Sequence, residues 1–185
     1  DEQIALEVLA LAEFAEERAL GLLADFREHY RRELEEQRHA LVGDLRVLPG
    51  VEDTLRELQR RGVVQSLLTG NLESIARIKL ACVELDRYVD FELGAFGSDH
   101  RDRTELVPIS RMRIKQKLGV DPDPIVVVGD TPRDIACARA GDALAVAVAT
   151  ANFTRDALAP HHPDLLLDDL ASGADQLKRL VGLGA

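Results

Sequence analysis

Apolar positions change their spacing partway along this chain of 185 residues. Through residues 2–42, Ile4, Val8, Leu11 and Ala15, and then Leu20, Leu23, Phe26, Tyr30 and Leu34, recur at the period of an amphipathic helix. The spacing predicts a helical hairpin broken at Gly21. Beyond "RVLPGVEDT" the pattern becomes an alternation of short apolar runs and helical segments. The runs "VVQSLLT" (63–69), "FELGAF" (91–96), "IVVVGD" (125–130), "ALAVAVA" (143–149) and "DLLLDD" (164–169) are rich in branched residues, as strands covered on both faces are. Helices are predicted at about 51–61, 72–84, 105–118, 132–140 and 171–181.

Alternating β and α elements imply an open parallel sheet with right-handed crossovers, an α/β fold too short for a barrel. Pro49-Gly50 marks a boundary between a helical part, residues 1–46, and an α/β part, residues 47–185. No internal repeat or low-complexity segment interrupts either part.

Composition narrows the class of partner. The hydrophobic fraction of 46% and charged fraction of 30% are those of a globular domain. A net charge of −10 argues against a general nucleic-acid binder, which needs clustered cations, but leaves room for a small anion held by a few donors. No apolar run reaches the length that spans a bilayer and the first residues lack the basic start of a secretory signal, so a cytoplasmic protein without membrane association is expected. Cys82 and Cys137 stand singly in helical patterns, which suggests packing roles.

In an open parallel sheet, ligands bind beyond the carboxyl ends of the strands. The first strand ends in Thr69-Gly70-Asn71. A hydroxyl, a close backbone approach and helix amides suit an anion there, while the same triplet also fits a plain turn with Asn71 as an N-cap. The loop after the second strand, "GSDHRDRTELVP", places Arg103 before a helix, either solvated or reaching a phosphate as a fixed cation. The third strand ends in "GDTPRD". Thr131 as N-cap, Pro132 at the first helical position and Asp134 at the third make a complete helix start. That leaves Asp130, a carboxylate at a strand end that needs a partner such as a cation. Asp130 and Asp134 together offer hard oxygen ligands of the kind Mg²⁺ takes alongside water and substrate phosphate. His161-His162, between two prolines, reads as a solvated loop. His100 reads as surface, and Ser98 as a pocket or turn residue.

Taken in order, "LLTGN", "DRTELVP" and "GDTPRD" resemble the second, third and fourth motifs of the haloacid dehalogenase superfamily of hydrolases, in its phosphoglycolate-phosphatase-like branch. The resemblance implies a Rossmann-like core with a partial helical cap formed by residues 1–46. It further implies a phosphoryl group bound by Thr69, Gly70, Asn71 and Arg103, Mg²⁺ held by Asp130 and Asp134, and a small phosphorylated metabolite as substrate. The reaction implied is hydrolysis of a phosphate monoester through an aspartyl-phosphate. The family's first motif, DxDx[TV] after an N-terminal strand, is missing from these residues, and with it the nucleophile and the general acid/base. That strand would lie centrally in the sheet, so the natural chain is expected to be longer and these residues alone to be inactive. Asp130 separates this chain from the metal-independent 2-haloacid dehalogenases, which lack the first acid of the fourth motif. The rival expectations are a catalytically inactive scaffold of the same fold, and a phospho-receiver-like domain, against which the helical hairpin counts. Oligomeric state is not legible.

Overall fold

The computed structural model describes residues 2–150 and 153–183. The helical part forms four helices, α1 (Glu2–Leu11), α2 (Glu16–Gly21), α3 (Leu23–Glu36) and α4 (Arg38–Asp44), in place of two continuous arms. Glu13 takes a left-handed backbone (φ 59°) that stops α1, and α2 ends at Gly21 as its spacing predicts. The breaks after α1 and α3 were not visible in the apolar periodicity, which runs through both.

The α/β part follows as α5 (Val51–Arg60), β1 (Leu68–Thr69), α6 (Glu73–Cys82), β2 (Ala95–Phe96), α7 (Leu106–Leu118), β3 (Val126–Gly129), α8 (Pro132–Ala140), β4 (Leu144–Val148), α9 (Arg155–Leu158), β5 (Leu165–Leu167) and α10 (Leu170–Leu180). All strand pairs are parallel. They form two sheets, β1-β2 and β3-β4-β5, with Thr69 opposite Phe96 in the first and Gly129 opposite Ala147 in the second.

Helices cover both faces of the larger sheet, and the strands bury alternate residues on each side as the pleat requires. Val127, Ala145 and Ala147 face Leu106 and Val107 of α7 and Ile135 and Ala138 of α8. Val146 and Val148 face Leu58 of α5 and Leu177 of α10. Leu106 and Val107 are fully buried, each contributing roughly 1.5–3 kcal/mol. The smaller sheet joins the first of these clusters through Leu68 and Ala95, so one core underlies both sheets. Helices α3 and α4 pack against α6, which carries the helical part onto the end of the smaller sheet.

Two predicted strands shrink to two residues each. Residues 91–93 form a 3₁₀ turn, because the Asp90 side chain accepts the Glu92 N–H, and only Ala95–Phe96 pair as a strand. Opposite them the chain from residue 63 forms a regular ladder only at Leu68–Thr69, although the Gln65 and Leu67 carbonyls still accept from Asp90 and Ala95.

Candidate functional site

Beyond the carboxyl end of β1 the chain turns through Gly70 and Asn71 into α6. Thr69 Oγ1 accepts from the Asn71 backbone N–H (3.1 Å) and from Asn71 Nδ2 (3.0 Å). Both lone pairs of the hydroxyl are occupied, so its proton is the one remaining hydrogen-bonding capacity and points to an acceptor such as an anion's oxygen. Asn71 does not cap α6: Leu72 holds that position without a side-chain bond. The Asn71 amide is instead oriented by Lys79 Nζ, which donates to Asn71 Oδ1 at 3.2 Å. Partial burial pulls the Lys79 ammonium below the usual lysine value. Sequence reasoning missed Lys79, whose only signal is its place two helical turns beyond Asn71.

A second loop braces the first. Gly97 N–H donates to the Asn71 carbonyl at 2.9 Å, and a β-carbon at Gly97 would lie 2.0 Å from the Gly70 oxygen. Only glycine permits that approach. Asp99 fixes the Gly97 loop by accepting from the Phe96 N–H and from both terminal nitrogens of Arg113 at 2.8 Å. Ser98 Oγ takes the Glu73 N–H, one of the helix amides expected to face an anion. His100, expected at the plain surface, lines the same cleft as Thr69. His161 and His162 are exposed, as expected.

The acid turn after β3 has the predicted helix start. Thr131 Oγ1 accepts from the Asp134 N–H, while Asp134 Oδ2 accepts from the Thr131 N–H (3.0 Å), the Thr131 hydroxyl (2.8 Å) and the Asp130 N–H (3.2 Å). The carboxylate folds back over Gly129, where a β-carbon would sit 2.2 Å from Asp134 Cγ. Its other oxygen pairs with Arg103 Nη2. Asp134 is buried, 7% exposed, and its oxygens are largely committed to this turn. Asp130 is half-buried, and among the described residues its carboxylate has no hydrogen-bond or ion-pair partner. The Arg103 Nε is buried and likewise without a partner among the described residues.

The Arg103–Asp134 pair joins the two predicted halves, since Arg103 also lines a cleft of about 1140 Å³ with Thr69, Gly70 and Asn71. Leu20, Leu23 and Arg27 of the helical part form another wall of that cleft. Among the described residues no cluster of three or more His, Cys, Asp or Glu side chains gathers around one point, and no helix is long and apolar enough to cross a membrane. Cys137 is buried with its thiol pushed up by desolvation, and Cys82 is half-buried.

A sequence model described as haloacid dehalogenase-like hydrolase matches residues 3–142. The chain is 30% identical over 169 residues to phosphoglycolate phosphatase 1 of Pseudomonas aeruginosa, an alignment covering 90% of this chain and 58% of that protein. It spans about half the length of further phosphoglycolate phosphatases from Pseudomonas, 48% and 44% in two of them. Among solved structures, a predicted phosphatase from Clostridium acetobutylicum superimposes with a TM-score of 0.70 at 15% identity, covering 95% of this chain and 77% of the other. A hydrolase from Pseudomonas syringae does so with a TM-score of 0.64 at 20% identity, over 93% and 76% of the two chains. At these identities the structural likeness is one of fold.

Proposed function

Because this chain belongs to the haloacid dehalogenase-like hydrolases, we propose that it is the phosphoryl- and metal-binding portion of a Mg²⁺-dependent hydrolase of small phosphate monoesters of the phosphoglycolate type. The observation that carries this is the Arg103–Asp134 ion pair, which ties the cleft around Thr69 to the acid turn after β3. In this assignment the Thr69 hydroxyl donates to a phosphoryl oxygen, Asn71 and Lys79 hold that hydroxyl in place, and Arg103 supplies positive charge beside the same group. Residues 1–46 serve as part of a cap that closes the cleft over the leaving group.

The acid turn fits a divalent cation. Asp130 offers a carboxylate that lacks a partner among the described residues, and Asp134 stands four residues on with its oxygens organising the turn. Asp130 and Asp134 would hold Mg²⁺, Asp130 as the direct ligand, leaving the remaining positions to water and substrate oxygen. When bound, the ion supplies charge neutralisation of the phosphoryl oxygens.

Hydrolysis requires attack on phosphorus by a carboxylate, with the ester P–O bond breaking and the leaving alkoxide taking a proton, then attack by water on the aspartyl-phosphate. The matched motifs here position and neutralise; none is the attacking group. We assign that group to a strand paired between β1 and β3, each of which has one unpaired edge among the described residues. Val128 of β3, 43% exposed, fits the same placement.

The test is a phosphatase assay of the intact protein over a panel of phosphate monoesters with and without Mg²⁺. Turnover that needs Mg²⁺ and is lost in Asp130→Asn, with the fold retained by circular dichroism, is the expected outcome. Full activity of Asp130→Asn would remove that residue from the site. Inactivity of a protein that carries the attacking carboxylate would favour a scaffold role.

A further inference from the structure

The cleft holds more positive charge than one monoester phosphate requires. In a chain of net charge −10, Arg27, Arg101, Arg103 and Arg133 all line it. Arg103 is committed to Asp134, and Arg27 has interactions of its own. The guanidinium groups of Arg101 and Arg133 have no hydrogen-bond or ion-pair partner among the described residues. The acids of the same cleft do not answer them, and Glu7 among these has interactions of its own. Asp99 is held by both terminal nitrogens of Arg113, and Asp102 accepts from the backbone and hydroxyl of Thr104.

Arg133 is the more telling of the two. It is the second residue of α8, in the first turn, where the helix dipole favours acids and opposes cations. The Thr131–Asp134 capping box already completes that helix start, so Arg133 adds nothing to it. The adjacent acid, Asp134, does not neutralise it, because that carboxylate is committed to Arg103 and to the Thr131 turn. Its guanidinium stands exposed on the cleft wall, without a protein partner among the described residues and open to an anion in the cleft.

We propose that Arg133 is a specificity-determining residue that binds a second anionic group on the substrate's leaving portion, with Arg101 as a neighbouring cation. This assignment rests on the phosphoryl-binding role given above to Thr69 and Asn71. A carboxylate or a second phosphate each matches the planar fork of a guanidinium.

Three probes separate the cases in calorimetric titrations of the intact protein: 2-phosphoglycolate, ethylene glycol bisphosphate, and 2-hydroxyethyl phosphate, whose far end is neutral. At least one of the two esters with an anionic far end is expected to bind about tenfold or more tightly than the hydroxyl-ended one, the scale of a charge-assisted contact. Whichever is preferred identifies the second group. In Arg133→Gln that ratio should fall to near one, whereas Arg60→Gln, an exposed charge on α5, should leave it unchanged. Equal binding of all three esters by the wild type, or a ratio that survives in Arg133→Gln, overturns the second-anion site while leaving the phosphoryl site standing. Failure of every ester to bind overturns both.

Discussion

Thr69 acquires its chemistry from two neighbours. Asn71 fills its acceptor positions and Lys79 fixes Asn71, so the hydroxyl that would otherwise rotate keeps its proton for another acceptor. The identity of the triplet Thr69-Gly70-Asn71 is legible in the sequence because all three residues are adjacent. Lys79 is not, since nothing in its local pattern says whether the helix turns it toward the loop. Gly97 is hidden for a similar reason: its need to be glycine arises from a residue 27 positions earlier in the chain. Replacing it with alanine forces the Gly70 and Gly97 loops apart. Gly97→Ala should cost about 1–3 kcal/mol in denaturant unfolding and weaken phosphate binding in the same titration. Unchanged values for both would show that the close approach is dispensable.

At the scale of elements, the start of α8 was predictable because its capping box lies within four consecutive residues, Thr131 to Asp134. The lengths of β1 and β2 were not. A strand is defined by its partner, and the 3₁₀ turn at 91–93 removes most of the ladder that residues 63–67 would have used. The connection into β5 illustrates how a single acid fastens several elements. Asp164 accepts from the Ala145 N–H of β4 at 2.7 Å and from Arg139 of α8 at 2.9 Å. Burial works to raise its pKa, but the amide and the guanidinium together hold it below the usual carboxylate value. A folded-state pKa below the unfolded one contributes stability that is present at neutral pH and above about 3.9, and is lost as pH falls through the lowered value. Asp164→Asn should therefore cost about 1.5–3 kcal/mol at pH 7 by urea unfolding, with the difference from wild type shrinking at pH 3. A gap that stayed constant with pH would assign the loss to packing instead.

For the whole molecule, two parallel sheets share one apolar core yet are not hydrogen-bonded to each other among the described residues. Unpaired edges on β1 and β3 are groups that a compact sheet ordinarily satisfies. If a strand carrying an Asp-x-Asp segment completes the sheet, joining such a strand to the chain should raise the melting temperature by several degrees and confer Mg²⁺-dependent turnover. A fused strand that changed neither would remove the edges of β1 and β3 from consideration. The helical part also acts at this scale. Leu20, Leu23 and Arg27 line the cleft because α3 and α4 rest on α6.

The α/β alternation, the parallel strands, the helix start at Thr131 and the residue types of the turns after β1 and β3 follow from the sequence, because each depends on contacts within a few residues or on the period of apolar positions. Only the tertiary structure joins Arg103 to Asp134, sets Lys79 behind Asn71 and leaves Arg133 without a partner at the cleft wall. Those relations arise between segments brought together by packing, where the free energy depends on distance in space rather than along the chain. The stretch "GDTPRD" shows the division. Its local chemistry accounts for Thr131, Pro132 and the capping bonds of Asp134 and leaves Asp130 over, whereas the pairing of Asp134 with Arg103 emerges only once the rest of the molecule surrounds the turn.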